Sequence, residues 1–530
     1  MSNASDNEQN ETSSKTNPVF WISAVFIFLF VLWGAFSPGS LADNAGIVYD
    51  FTTKSFGWFY LMSVFFFVIF LFYLAISRFG RIRLGPDSSR PEYSFFTWIG
   101  MLFSAGFGVG LVFWGVAEPM QHYLVPPLDT VAPESAEAAR TAMRYSFFHW
   151  GIHQWSVFTI VGLALGYFQF RHHKKSLISS TLDPLLGEGN HTTLRSTIDV
   201  LAVIATVTGV ATSLGMGILQ INGGLNHVFG IPNNPIMNIV VTGILMVLYL
   251  TSSTTGLDKG IKYLSNLNMI LAIMLMVVFF FLGPTVFILN SLTLGTGDYI
   301  QNFVGMSFRL TPYEGGSWVR DWTLFYWAWV IAWSPFVGSF VARVSRGRTI
   351  REFIIGVLII PPAIAIVWMA IFGGTALNMD LFHGTDIAQA VDANVTSALF
   401  ETFSYFPMSM ILSVIAITLI FTFLVTSADS ATYVLGIMTT RGQLIPPMGV
   451  KVIWGILQAA IAAVLIVSSG LEGLQTASLV AALPFTVILI MMALSLFKSL
   501  QREPIPERKR HREPKALKRK KKQETEKPVE

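Results

Sequence analysis

The sequence predicts an all-α polytopic membrane protein with twelve transmembrane helices, and three observations carry that prediction. Of 530 residues, 53% are hydrophobic and only 12% charged, with a mean hydropathy of +0.58; a soluble domain carries roughly 25% charged residues. Apolar residues recur in runs of about 20, the length that crosses ~30 Å of hydrocarbon at 1.5 Å per residue. Loops rich in Arg and Lys alternate with loops poor in them, as the positive-inside rule requires.

Taken in order, residues 1–17 are polar and slightly acidic, without the basic start of a signal peptide. They are expected as a cytoplasmic tail before a retained first span. Apolar runs follow near 18–37, 57–77, 95–117, 143–169, 196–220, 235–253, 263–288, 322–342, 350–374, 408–436, 450–470 and 474–497. The loop after span 2 holds Arg78, Arg81, Arg83 and Arg90, and the loop after span 4 holds Arg171, Lys174 and Lys175. Lys259 and Lys262 follow span 6; Arg343, Arg346, Arg348 and Arg351 follow span 8. The long outer loop 382–403 carries acids instead. Both termini are therefore expected in the cytoplasm.

Two spans contain helix-weakening runs five spans apart. Span 3 reads Gly106-Phe107-Gly108-Val109-Gly110 and span 8 reads Ser334-Pro335-Phe336-Val337-Gly338. In secondary transporters, matching breaks in two repeats line the substrate and ion sites; close helix packing through small residues is the other reading of the glycines. The pairing predicts one repeat over 95–290 (spans 3–7) and a second over 322–497 (spans 8–12). Residues 18–94 would be two additional spans, 291–321 an extracellular helix and loop, and 498–530 a basic cytoplasmic tail.

Span 4 reads His149-Trp150-Gly151-Ile152-His153-Gln154-Trp155-Ser156-Val157-Phe158, and span 8 places Trp327, Trp329 and Trp333 before Pro335. Trp329 and Trp333 share a helix face, as do Trp155 and Phe158. Tryptophan faces attract cations without a full negative charge, which suits a quaternary ammonium. An interfacial aromatic belt explains scattered residues such as Trp21 and Trp58 but not this cluster. Span 10 ends Phe423-Leu424-Val425-Thr426-Ser427-Ala428-Asp429-Ser430. Its hydroxyls suit a hard cation such as sodium, or bond back to the preceding helical turn.

These segments resemble the betaine/carnitine/choline transporter family over roughly residues 18–500. The likeness includes SFRLTP (307–312), WSPFVG (333–338), RVSRGRTIREF (343–353) and TSADS (426–430), and it is strongest toward osmoprotectant importers of Gram-positive bacteria. The resemblance implies the inverted-repeat fold of the leucine transporter, usually as a homotrimer in the bacterial cell membrane. It places an aromatic substrate box on Trp150, Trp155, Phe158, Trp329 and Trp333, with Gly108, Gly110 and Val330 beside it. It places one sodium site on the hydroxyls of Thr426 and Ser427 with main-chain oxygens of Ser104, Phe107 and Phe423, and a second near Thr206. Span 5 lacks the fixed cation that sodium-independent exchangers of the family carry, so sodium is the expected coupling ion.

Departures from the family pattern shape the substrate expectation. Phe107 stands where betaine importers have methionine, Phe158 where tyrosine is common, and Val330 where a second paired tryptophan is usual. Val330 would leave room for a bulkier, flatter solute, which favours ectoine or hydroxyectoine over glycine betaine or carnitine. Gly110 stands where choline-transporting members tend to have aspartate, which favours a zwitterion.

The remaining features narrow the class. The tail, with its basic blocks between Arg508 and Lys522, suits either a generic anchor or contact with anionic lipids that senses ionic strength. The chain has no cysteine, which excludes disulfides and thiolate metal sites. His149 and His153, at i and i+4, lack a third ligand within the span, so no enzyme and no cofactor are expected. Nothing suggests a channel pore, a nucleotide motif or a nucleic-acid partner.

Overall fold

The computed structural model describes residues 17–504 except 107, 188, 190, 256–257 and 314, with the backbone alone at 103–106, 255 and 258–262. Helix α1 runs Pro18–Phe36 and α2 runs Pro38–Ile76. Each starts with proline, whose missing N–H would have had no helical partner there. α2 begins well before the apolar run at 57, because residues 38–56 are too polar for hydrocarbon yet competent to form helix.

Span 3 is two helices, α3 (Phe95–Gly106) and α4 (Val109–Leu124), with Gly108 extended between them. Span 4 is also two, α5 (Ala136–Trp150) and α6 (Ile152–His172), separated at Gly151. The freed N–H of Ile152 donates to the Tyr299 hydroxyl at 3.1 Å, so the break is satisfied inside the protein, as hydrocarbon demands. Then come α7 (Thr192–Phe229), α8 (Pro235–Thr255), α9 (Asp258–Leu282) and α10 (Thr285–Gln301). Last are α11 (Phe325–Val344), α12 (Ile350–His383), α13 (Ser409–Thr439) and α14 (Met448–Leu500). α14 is two helices end to end, divided at Gly470, whose φ of 61° and ψ of −135° no helical residue adopts. Among the described residues nine helices are long and apolar enough to cross a membrane. The protein is an all-helical, multi-pass membrane protein.

One expectation is corrected. The run 334–338 does not interrupt span 8, since α11 continues through Pro335. Proline removes the bond that the Ile331 carbonyl would have received, and the Ser334 hydroxyl donates to that carbonyl instead, at 2.8 Å. Sequence reasoning therefore located the second break in the wrong span. It lies in span 4, at Gly151.

The centre of the bundle is α11 and α14, which pack on each other and each on both α6 and α7. The apolar window of α7 is 89% buried, against 22% for 263–282 at the periphery. Helices gain little by burying apolar surface from lipid, so small residues at the crossings carry the packing. At Gly209 a Cβ would lie 2.7 Å from the backbone nitrogen of Trp333. Glycine there lets α7 touch the α11 backbone and fixes Trp333 at the bundle's centre.

Candidate functional site

The start of α4 (Val109, Gly110), the middle of α7 (Val210, Ser213), the middle of α11 (Trp333, Phe336) and α13 (Leu424, Ser427) enclose a narrow cleft. It holds about 340 Å³ of empty space, open solvent included, of which only about 10 Å³ takes the centre of a water. That is room for about one water molecule.

The five aromatic residues of the predicted box form one connected cluster against this cleft. Trp329 and Trp333 stack at 5.8 Å with planes 11° apart. Phe158 meets Trp333 edge-on at 5.8 Å, and Trp155 meets Phe158 at 5.2 Å. Trp150 meets Trp329 edge-on at 6.1 Å. The break at Gly151 separates Trp150, at the end of α5, from Trp155, at the start of α6, so one segment serves two sides of the cluster. A Cβ on Gly110 would lie 2.2 Å from Cη2 of Trp329 and 3.3 Å from Cη2 of Trp150; one on Gly108 would lie 3.5 Å from Cη2 of Trp333. Close approach thus leaves no room for a side chain at Gly110. Val330 is fully buried but does not line the cleft.

The residues expected to hold sodium are less closely gathered. Ser427 lines the cleft. Thr426, one residue earlier, turns toward α9: its Oγ1 accepts from the Asn268 amide at 3.2 Å and donates to the Phe423 carbonyl at 3.0 Å. Thr206 is buried in α7, donating to the Ala202 carbonyl at 2.7 Å. Of Ser104 only the backbone, within α3, is described; Phe107, the side chains of Lys259 and Lys262 and the tail from 505 onward lie outside the described residues.

Sequence reasoning missed the most heavily bonded polar group in the bundle. Glu118 of α4 is fully buried. Its Oε1 lies 2.7 Å from His149 Nδ1 and 3.3 Å from His122 Nε2. Its Oε2 accepts from Trp150 Nε1 at 2.8 Å and from the Tyr326 hydroxyl. Ligating atoms of Glu118, His122 and His149 all lie within 4.8 Å of one another, a spacing that suits a transition metal, yet the carboxylate's four acceptor positions already have donors. His149 therefore has its acid partner, supplied by another span. His153 belongs to a separate pair: its Nε2 lies 2.7 Å from the Ser307 hydroxyl, which gives the SFRLTP segment a contact with span 4.

At the end of the bundle that carries Arg171, the chain leaving α14 is clasped. Glu503 accepts from Arg171 at 2.8 Å and from the Tyr167 hydroxyl at 3.0 Å, with His172 Nε2 at 3.1 Å. Burial raises the Glu503 pKa, but the Arg171 and Tyr167 hydrogen bonds outweigh it and hold the carboxyl below the usual glutamate range.

Comparison with known proteins follows the same lines. Residues 18–505 match the family model for betaine/carnitine/choline transporters. The chain is 57% identical over 490 residues to an ectoine/hydroxyectoine transporter of Virgibacillus pantothenticus, covering 92% of this chain and 97% of that one. It is 50% identical to the glycine betaine transporter OpuD of Bacillus subtilis (strain 168), covering 92% and 94%. It is 37% identical to a high-affinity choline transport protein of Escherichia coli (strain K12), covering 94% and 74%.

Proposed function

Since the chain belongs to the betaine/carnitine/choline family of membrane transporters, and not to an enzyme family, we propose that it imports small zwitterionic compatible solutes, ectoine and hydroxyectoine ahead of glycine betaine, with sodium as the coupling ion. The observation that carries this reading is the connected aromatic cluster at the broken start of α4. Tryptophan faces take the delocalised or quaternary cation. The α4 N-terminus, opening onto the cleft at Val109 and Gly110, offers free N–H groups and a positive dipole end to the carboxylate. Such half-helix ends recur in transporter sites.

Support for ectoine ahead of glycine betaine is the 57% against 50% identity to relatives so named. Val330 adds little, being away from the cleft. Support for sodium is Ser427 at the cleft and the absence of Arg or Lys in α7 beyond Arg195.

The reading extends to architecture. We read the nine long apolar helices, with α14 divided at Gly470 and the broken pairs α3–α4 and α5–α6 added, as twelve spans, and the alternation of basic loops as placing both termini inside. The repeats 95–290 and 322–497 and a homotrimer rest on the family. The tail beyond 505 would meet anionic lipid and set osmotic activation; deleting 505–530 should blunt that activation while basal uptake persists.

The test is uptake of labelled ectoine and glycine betaine in a cell without its own importers, with and without sodium, at two osmolalities. Saturable, sodium-dependent ectoine uptake that excess glycine betaine does not suppress is the expected result. Sodium-independent uptake overturns the coupling, and preferential glycine betaine uptake overturns the substrate order.

A further inference from the structure

The buried Glu118 network has a consequence for the site that the box residues alone do not supply. A carboxylate that accepts four hydrogen bonds on its two oxygens is an ionised one, because a carboxylic acid would turn one position into a donor. Thr323 Oγ1 lies 3.0 Å from His149 Nε2; its hydroxyl donates there if His149 is neutral with its proton on Nδ1, toward Glu118. His122 is satisfied at Nε2 while its Nδ1 has no partner, and a lone pair is the cheaper group to strand than a charged N–H. Glu118 is therefore the negative group of the network.

Trp150 carries that charge to the cleft. One end of its indole, Nε1, donates to Glu118 Oε2 at 2.8 Å. The other end, Cη2, stands 3.3 Å from the position of a Cβ on Gly110, which lines the cleft. The carboxylate is thus one indole width from the solute. An indole whose N–H is given to a carboxylate is richer in electrons on its faces, so it attracts a cation more strongly, and in a low-dielectric interior the charge itself adds to that attraction. Through Tyr326 the same carboxylate ties α11 to α4, three residues before Trp329.

Resting on the aromatic-box reading above, we propose that Glu118 is a positioning and specificity-determining residue of the substrate site. Acting through Trp150, it gives the box a negative pole that selects solutes bearing a cation over neutral ones of similar size.

The experiment is uptake kinetics and tryptophan-fluorescence binding on the full chain in proteoliposomes, for Glu118→Gln, Trp150→Phe, the double variant and Tyr326→Phe. Glu118→Gln is expected to raise KM and the binding constant about tenfold or more, with kcat within about twofold. In the Trp150→Phe background the same change should add less than about twofold, because the link is already cut. Tyr326→Phe removes a competing donor but leaves the charge, so its KM should stay at or below that of the wild type. This second variant carries the test if Glu118→Gln fails to reach the membrane. A Glu118→Gln protein with unchanged KM and lowered kcat overturns the inference, as does full additivity with Trp150→Phe or a raised KM in Tyr326→Phe. Loss of wild-type uptake on chelator treatment also overturns it, by showing a metal in the network. Wild-type protein that neither binds nor takes up these solutes overturns the transport reading itself, a result distinct from all of these.

Discussion

Gly110 shows how tightly the site is specified at the scale of single residues. Its missing Cβ would sit 2.2 Å from Trp329, closer than packed carbon atoms approach, so Gly110→Ala must push Trp329 off its stack with Trp333. We expect KM for the transported solute to rise about tenfold while the protein still reaches the membrane, read by uptake kinetics beside a surface-expression assay; overpacking of this kind costs about 1–3 kcal/mol. Ser427 and Thr426 separate in the same way. Ser427→Ala should raise the sodium concentration for half-maximal uptake severalfold, and Thr426→Ala much less, because only Ser427 lines the cleft. Equal effects would show that α13 rotates when the ion binds. The aromatic cluster was legible in the sequence because tryptophans grouped beside proline and glycine stand out, while the reading of it as a substrate box rests on the family resemblance. Glu118 was not legible. Its partners His149 and Tyr326 are 31 and 208 residues away, and the predicted third span stopped at 117, one residue short, because a carboxylate ends an apolar count.

Whole helices obey a different arithmetic, in which every freed backbone group must find a partner. Ser334 satisfies the Ile331 carbonyl that Pro335 leaves open. Ser334→Ala should therefore lower the melting temperature in detergent, by a loss of about 1 kcal/mol, and bend α11 where the sequence suggested a break. An unchanged melting curve would mean that a water replaces the hydroxyl. The existence and order of the long helices followed from apolar runs, whose length hydrocarbon sets directly. Where helices break did not follow. At 334–338 a side chain repairs the break, while at Gly151 a single glycine interrupts the helix because Tyr299, far along the chain, receives the freed N–H. Such repairs are tertiary, so residue type alone at the break does not reveal them.

Across the whole molecule, the chain leaving α14 is tied to α6 through Glu503, Arg171 and Tyr167. Glu503→Gln should cost about 1–3 kcal/mol, the worth of hydrogen bonds to a charged group, and should loosen osmotic control of uptake. Because the folded pKa of Glu503 lies below its unfolded value, this stabilisation is full above the ordinary glutamate range and is lost as pH falls through the folded value. Melting temperatures of the wild type and Glu503→Gln should therefore differ at neutral pH and converge in acid; a gap that persists in acid would assign the effect to packing. The clasp could not be foreseen, since Glu503 is one of several glutamates interspersed with the basic blocks of the tail. One further consequence concerns the cleft, which has room for about one water beside Trp333. A carrier driven by an ion gradient depends on that gradient being held, and any continuous aqueous thread through it would short-circuit it. A cleft with room for about one water offers no such thread, so the resting carrier should conduct no measurable ionic current.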